Sequence, residues 1–300
     1  MSTPKVIPAA AAPVPMLNYF SEQTVTSWEQ LENKLTTFDS GWAFRGQGDA
    51  TWKLETSIER IWTGADRDVA EQTALALYGR RSAGLRLRQP VPKDSLMMLA
   101  EMQHFGAPTR LQDWTKSFYV AAFFAFEAER RCTSAAVWAI DLAWLKAQAL
   151  TKIKKVDPAY DILTVRDDLN SASLDLFSKV VLTNQEPFVM PVTTFEMNER
   201  LGIQQGLFLC PGDVRMTFEE NLLKCDGGEL RKHCLKFILP YKHRGVILDH
   251  LRQVNITPAT LYPGLEGFAR SINTELFLLS RNTATFNKLK GGVAGALNYL

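Results

Sequence analysis

Apolar residues recur at helical spacing after Thr26, with Trp28, Leu31, Leu35 and Phe38 on one face. Thr26-Ser-Trp-Glu29 has the form of a capping box, and Asp39-Ser-Gly41 stops the helix. Trp42-Ala-Phe-Arg45 then reads as a short strand, and Gly46-Gln-Gly-Asp49 as the turn after it. Helical patterns cover 67–88 and Lys93 to His104, the second ended by Gly106-Ala-Pro108. Thr109 to Trp114 is extended. From Ser117 onward the chain is apolar nearly all round, which predicts a buried helix. Ala135–Ile140 reads as a core strand with a helix at Leu142–Ala149. Further on, a helix is expected from Ser171 to Lys179, a strand at Pro187–Pro191, a strand at Leu235–Leu239 and a helix from Arg244 to Gln253.

Strands and helices alternate without an internal repeat. The expected fold class is therefore α/β (α+β), a mixed sheet flanked by helices in one domain over 17–300. Residues 1–16, rich in alanine and proline, read as a flexible tail, and 150–185 as a candidate insertion.

Composition narrows the function little. Hydrophobic residues make up 46% and charged residues 22%, so a sizeable core is expected, while a net charge of +2 gives no global case for a nucleic-acid partner. No apolar run approaches the length of a bilayer span, and prolines interrupt the N-terminal alanines where a secretory signal needs an unbroken apolar stretch. The expectation is a cytoplasmic protein with no membrane partner. The four cysteines, Cys132, Cys210, Cys225 and Cys234, form no CxxC pair, so no metal site is expected and reduced thiols are. P-loop, GxGxxG, GxSxG and HExxH motifs are all missing.

Candidate chemistry gathers in three stretches. In Phe44-Arg45-Gly46-Gln47, an arginine at a strand end can hold a phosphate or carboxylate bidentately, and the glycine permits close approach or a positive φ. Equally, Arg45 can pair with an internal acid such as Asp113 and serve the fold. From Gln103 to Thr115 runs the densest polar and aromatic cluster, with His104, Thr109, Arg110, Asp113 and Trp114. Its buried polar groups need hydrogen bonds, so it either locks a turn or lines a site. His104 can act as a general base or bond a carbonyl. The third stretch, Arg200-Leu-Gly-Ile-Gln204-Gln205-Gly206, again sets polar side chains beside glycine. On a strand, only one of Gln204 and Gln205 can face a shared site.

These residues resemble the FRG-domain family, named for an (F/Y)RG motif. The similar segments are Trp42–Gln47, Trp52–Arg60, Met102 through Ala125, Arg200–Phe208 and Ile256–Gly267, in order along the chain. Gln112 stands where the family usually carries leucine. Members often look like parts of bacterial or phage conflict systems. This implies a macromolecular target, protein or nucleic acid, and an antitoxin or other operon partner as a candidate.

A weaker resemblance links the chain to ADP-ribosyltransferases of the Arg-Ser-Glu type, which implies a split central sheet and NAD as substrate. In that comparison Arg45 holds the NAD phosphates or ribose, and Asp113-Trp-Thr115 stands in the Ser-Thr-Ser slot. The helix after Ser117 follows with similar spacing. The glutamate slot falls near Gln204 and Gln205. A glutamine cannot oppose an oxocarbenium-like charge as a carboxylate does. An acid from elsewhere (Asp113, Glu196 or Glu199), altered chemistry, or a fold that binds a nucleotide without turning it over all remain open. Phe44, Gly46, Gln47, Gln103, Thr109, Arg110, Trp114 and Arg200 are the expected cofactor-binding residues. Arg45, shared with the cofactor set, joins Thr115, Gln204, Gln205, Asp113 and His104 as catalytic candidates. The implied activity is ADP-ribosyl transfer. The alternatives are a non-catalytic nucleotide-, nucleic-acid- or partner-binding module, and a nuclease or glycosidase toxin using His104 and an acid.

Overall fold

Alternation of apolar side chains sets the central strands. In β4 (Ser134–Asp141) every position but the two ends is buried, which fits an interior strand covered on both faces, while β2 (Trp42–Gln47) buries Ala43, Phe44 and Gln47 and leaves Trp42, Arg45 and Gly46 half-buried. The computed structural model describes residues 19–85, 92, 94–128, 132–158, 177–183, 185–193, 199–225 and 228–281. The expected tail 1–16 and most of the helix expected from Ser171 to Lys179 lie outside them.

Seven strands form one mixed sheet in the order β1-β7-β4-β2-β3-β6-β5. The others are β1 (Ser21–Thr24), β3 (Gln112–Thr115), β5 (Val189–Val192), β6 (Gly206–Pro211) and β7 (Cys234–Pro240). Only β1 and β7 run parallel. The pairing of β2 with β4 extends over six residue pairs, but β2 meets β3 through Phe44 and Thr115 alone. The sheet is thus split in effect: four strands on one side, three on the other, hinged at one pair.

Helix α1 (Trp28–Leu35) is capped one residue later than Thr26-Ser-Trp-Glu29 implied. Ser27 accepts from the Gln30 amide, and Gln30, not Glu29, reaches back to Thr26. Four helices follow: α2 (Ser57–Ile61), α3 (Arg67–Ser82), α4 (Ser95–His104) and α5 (Phe118–Phe126). Helix α6 (Leu142–Val156) runs well past Ala149, where the sequence reading ended it. The Ser117 hydroxyl caps α5 by accepting from the Val120 amide at 3.3 Å.

Helix α5 lies directly on β2, and Gly46 makes that approach possible. A Cβ at Gly46 would fall 2.0 Å from the Ala121 carbonyl oxygen and 2.7 Å from the Ala125 nitrogen. Gly46 therefore belongs to the strand, not to a turn, and its missing side chain admits a helix backbone rather than a ligand.

Arg110 is the polar staple of the other half. It is almost wholly buried, pairs with Glu71 of α3 through its Nε at 2.8 Å and its Nη2, and donates Nη1 hydrogens to the carbonyls of Val181 and Gly212 at 3.0 and 3.1 Å. Among the described residues, no helix is long and apolar enough to cross a membrane.

Candidate functional site

A cleft of about 470 Å³ opens where β2 and β3 part. Arg45, from β2, is half-buried on its wall. Its Nη1 donates to the main-chain carbonyl of Asp113 at 2.5 Å, while its buried Nε has no hydrogen-bond partner among the described residues. Burial pulls the guanidinium below its usual pKa, the Asp113 carboxylate raises it again, and Arg60 adds to the fall. A guanidinium stays charged even so. The result is a cation with spare donor capacity facing a hollow.

Alternation on β3 sorts its residues. Gln112 and Trp114 share one face, where the indole Nε1 donates to Gln112 Oε1 at 2.8 Å. Asp113 and Thr115 share the other, and both line the cleft. Asp113 is exposed, and its Oδ2 accepts from Gln103 Nε2 at 2.7 Å. The acid therefore neither neutralises Arg45 through a direct ion pair nor withdraws into the core.

The Thr115 hydroxyl has its proton committed: it donates to the Gln204 carbonyl at 2.7 Å and also accepts from the Ser117 amide at 3.0 Å. Gln204 and Gln205 sit in a turn between the helix Glu199–Ile203 and β6, not on a strand. Gln205 has a left-handed φ of 48° and its carbonyl accepts from Lys116 N–H at 2.9 Å. Gln204 alone of the two lines the cleft, and its Nε2 donates to the Leu261 carbonyl at 3.0 Å.

The opposite wall is cationic and aromatic. The Arg200 guanidinium lies 4.6 Å from the ring centre of Tyr262, whose hydroxyl donates to Glu127 Oε2 at 2.9 Å. The neighbouring Glu127 and burial together push the Tyr262 phenol upward, burial being the larger cause. Phe124 and Phe208 add apolar surface.

Of the expected site residues, Phe44, Arg45, Gly46, Gln103, His104, Asp113, Trp114, Thr115, Arg200 and Gln204 all border this cleft. Four do not. Arg110 is consumed by the buried pair with Glu71. Gln47 is buried, its Oε1 accepting from Trp138 Nε1 at 2.7 Å and its Nε2 donating to the Lys53 carbonyl at 2.9 Å. Thr109 is buried with its hydroxyl on Gln103. Gln205 is exposed and does not line the cleft, its main-chain N–H donating to the Gly202 carbonyl. Of the alternative acids, Glu199 is exposed outside the cleft and Glu196 lies outside the described residues. The residue that sequence reasoning passed over is Tyr262. Its Tyr-Pro-Gly context marks a turn, and nothing local signals that the ring closes a wall built by residues far away in the chain.

Among the described residues, no cluster of three or more His, Cys, Asp or Glu side chains is arranged to hold a metal ion. No curated protein and no solved structure matches the chain. The family model of the FRG domain matches residues 40–133, which span β2, the Gln103–Thr115 stretch and α5. The chain therefore carries an FRG domain over residues 40–133, and that domain supplies the Arg45–Asp113 wall of the cleft.

Proposed function

We propose that the cleft binds NAD and that the protein is an ADP-ribosyltransferase-like effector. One observation carries this reading: two guanidiniums, Arg45 and Arg200, and one carboxylate, Asp113, converge on a single aromatic-walled cleft of about 470 Å³. Arg45, with its unpartnered Nε among the described residues, and Arg200, stacked on the Tyr262 ring, suit the pyrophosphate. Phe124 offers apolar surface for a flat heterocycle.

In the reaction, the bond between ribose C1′ and the nicotinamide nitrogen breaks, and its electron pair leaves with nicotinamide. Positive charge grows on the ribose. Asp113 is the lining carboxylate that can oppose it, which answers the glutamine at the position where a glutamate is expected. A nucleophilic oxygen or nitrogen on the acceptor bonds to C1′ and gives up its proton, for which His104 is the lining base. The acceptor is a protein or nucleic acid, and the FRG resemblance favours a setting in bacterial or phage conflict.

Purified protein incubated with labelled NAD and cell lysate is expected to release nicotinamide and leave label on a macromolecule, and Arg45→Ala is expected to abolish both. An intact NAD pool and unlabelled lysate would refute the transferase reading. A second reading, binding without turnover, is favoured by the Thr115 hydroxyl and the Gln204 amide being engaged inside the protein. Calorimetry that finds NAD bound but uncleaved would select it.

A further inference from the structure

We infer that Gln103 is a positioning residue whose amide is locked, through Thr109 and Ser57, to present its NH2 group to Asp113. The inference rests on reading Asp113 as the working carboxylate of the cleft.

The lock follows from counting hydrogens. The buried Thr109 hydroxyl accepts from the Leu111 N–H at 3.1 Å, so its single proton goes to Gln103 Oε1 at 2.6 Å. The Ser57 hydroxyl accepts from the Thr109 N–H at 2.9 Å and has its proton for the Thr109 carbonyl at 3.1 Å or Gln103 Oε1 at 3.3 Å. Gln103 Oε1 therefore faces hydroxyl donors, and Nε2 must face Asp113 Oδ2 at 2.7 Å. A flipped amide would set its oxygen against a carboxylate oxygen, two acceptors with no proton between them. Asp113 is thus gripped twice: the side chain by Gln103, the main-chain carbonyl by Arg45. One carboxylate oxygen is fixed, and Oδ1, without a hydrogen-bond partner among the described residues, is left for the substrate. Gln103 and Thr109, expected as cofactor contacts, act through Asp113 instead.

The test uses the full chain labelled with 15N at glutamine side chains, with the Gln103 NH2 signals assigned by their loss in Gln103→Met. Those signals are expected to move on acid titration as Asp113 takes a proton, and this movement is expected to vanish in Asp113→Asn. Thr109→Val, which keeps shape and removes the hydroxyl, is expected to lose at least about half of the movement, and Thr109→Ser to restore it. Equal movement in wild type and Thr109→Val, or movement that survives Asp113→Asn, would overturn the inference.

A kinetic arm separates this from the transferase reading. Thr109→Val is expected to cut kcat for nicotinamide release about tenfold with KM within about twofold, because misplaced catalytic groups cost rate rather than binding. Wild-type protein that releases no nicotinamide would sink the proposed function and leave the amide titration to decide the positioning role.

Discussion

Phe44 and Thr115 form the one register pair that joins β2 to β3, and the cleft opens directly beyond it. An unbroken ladder would close that gap with backbone hydrogen bonds. Here the Arg45 guanidinium reaches across to the Asp113 carbonyl instead. The same side chain ties the two halves of the sheet and faces the hollow between them.

Arg45→Lys should not rescue Arg45→Ala. A lysine brings one point charge and cannot bond the Asp113 carbonyl and a phosphate in the fork geometry of a guanidinium. Both variants are expected to weaken NAD binding by at least about tenfold in calorimetry, the scale of a lost charge-assisted hydrogen bond. Unchanged affinity in the lysine variant would assign Arg45 a general electrostatic role only.

Gly46→Ala is expected to destabilise the protein by about 3 kcal/mol, since backbone atoms of α5 leave no room and cannot swing aside as a side chain would. Thermal or urea unfolding measures the loss. A well-folded alanine variant would mean that α5 can slide off β2.

Arg110 and Glu71 are expected to matter for stability and not for chemistry. Removing either alone strands a buried charge and costs about 3–5 kcal/mol, whereas Arg110→Met with Glu71→Leu should recover most of that. Double-mutant unfolding curves give the answer, and NAD binding by the double variant should match wild type. A double variant that folds but fails to bind would return Arg110 to the site.

Two buried carboxyls give the stability a pH slope. Burial raises the pKa of Glu59 and of Glu219 above 4.5, against hydrogen bonds that pull the other way. A raised folded pKa means that the folded state holds protons the unfolded chain has released. Their stabilising contribution is complete below 4.5 and is lost as pH climbs through the folded values. Glu59→Gln with Glu219→Gln should therefore gain stability relative to wild type as pH rises from 4.5 to neutral, read from melts across that window. A difference independent of pH would show that folding shifts neither carboxyl.

The sequence was most legible where one local rule dominated. Arg244–Gln253 is helical over the expected residues, and α5 begins after Ser117 because a hydroxyl cap precedes an apolar run. The candidate cleft was legible as three stretches, since polar and glycine residues inside apolar surroundings demand an explanation. What failed was whatever depends on distant partners. The strand expected to carry Gln204 and Gln205 begins only at Gly206, as β6, with both glutamines in the turn before it, and β1 is a short, polar strand that exists because β7 pairs with it. The helix Leu265–Arg281 was not foreseen. Arg110 looks like a ligand-binding arginine in sequence, and only the fold delivers Glu71 and the three carbonyls of Val181, Pro211 and Gly212 to it.

The buried Arg110 lies seven letters from the half-buried, cleft-lining Gln103 in the same string, inside the stretch by which the domain is recognised. Letters that build the core and letters that line the cleft are interleaved there. A relative could therefore keep Gly46, Thr109 and Arg110, score as a full member, and be chemically silent through loss of Arg45 or Asp113 alone. Under the proposed function, sorting active from inert members would call for inspecting those two positions, not for a better overall score.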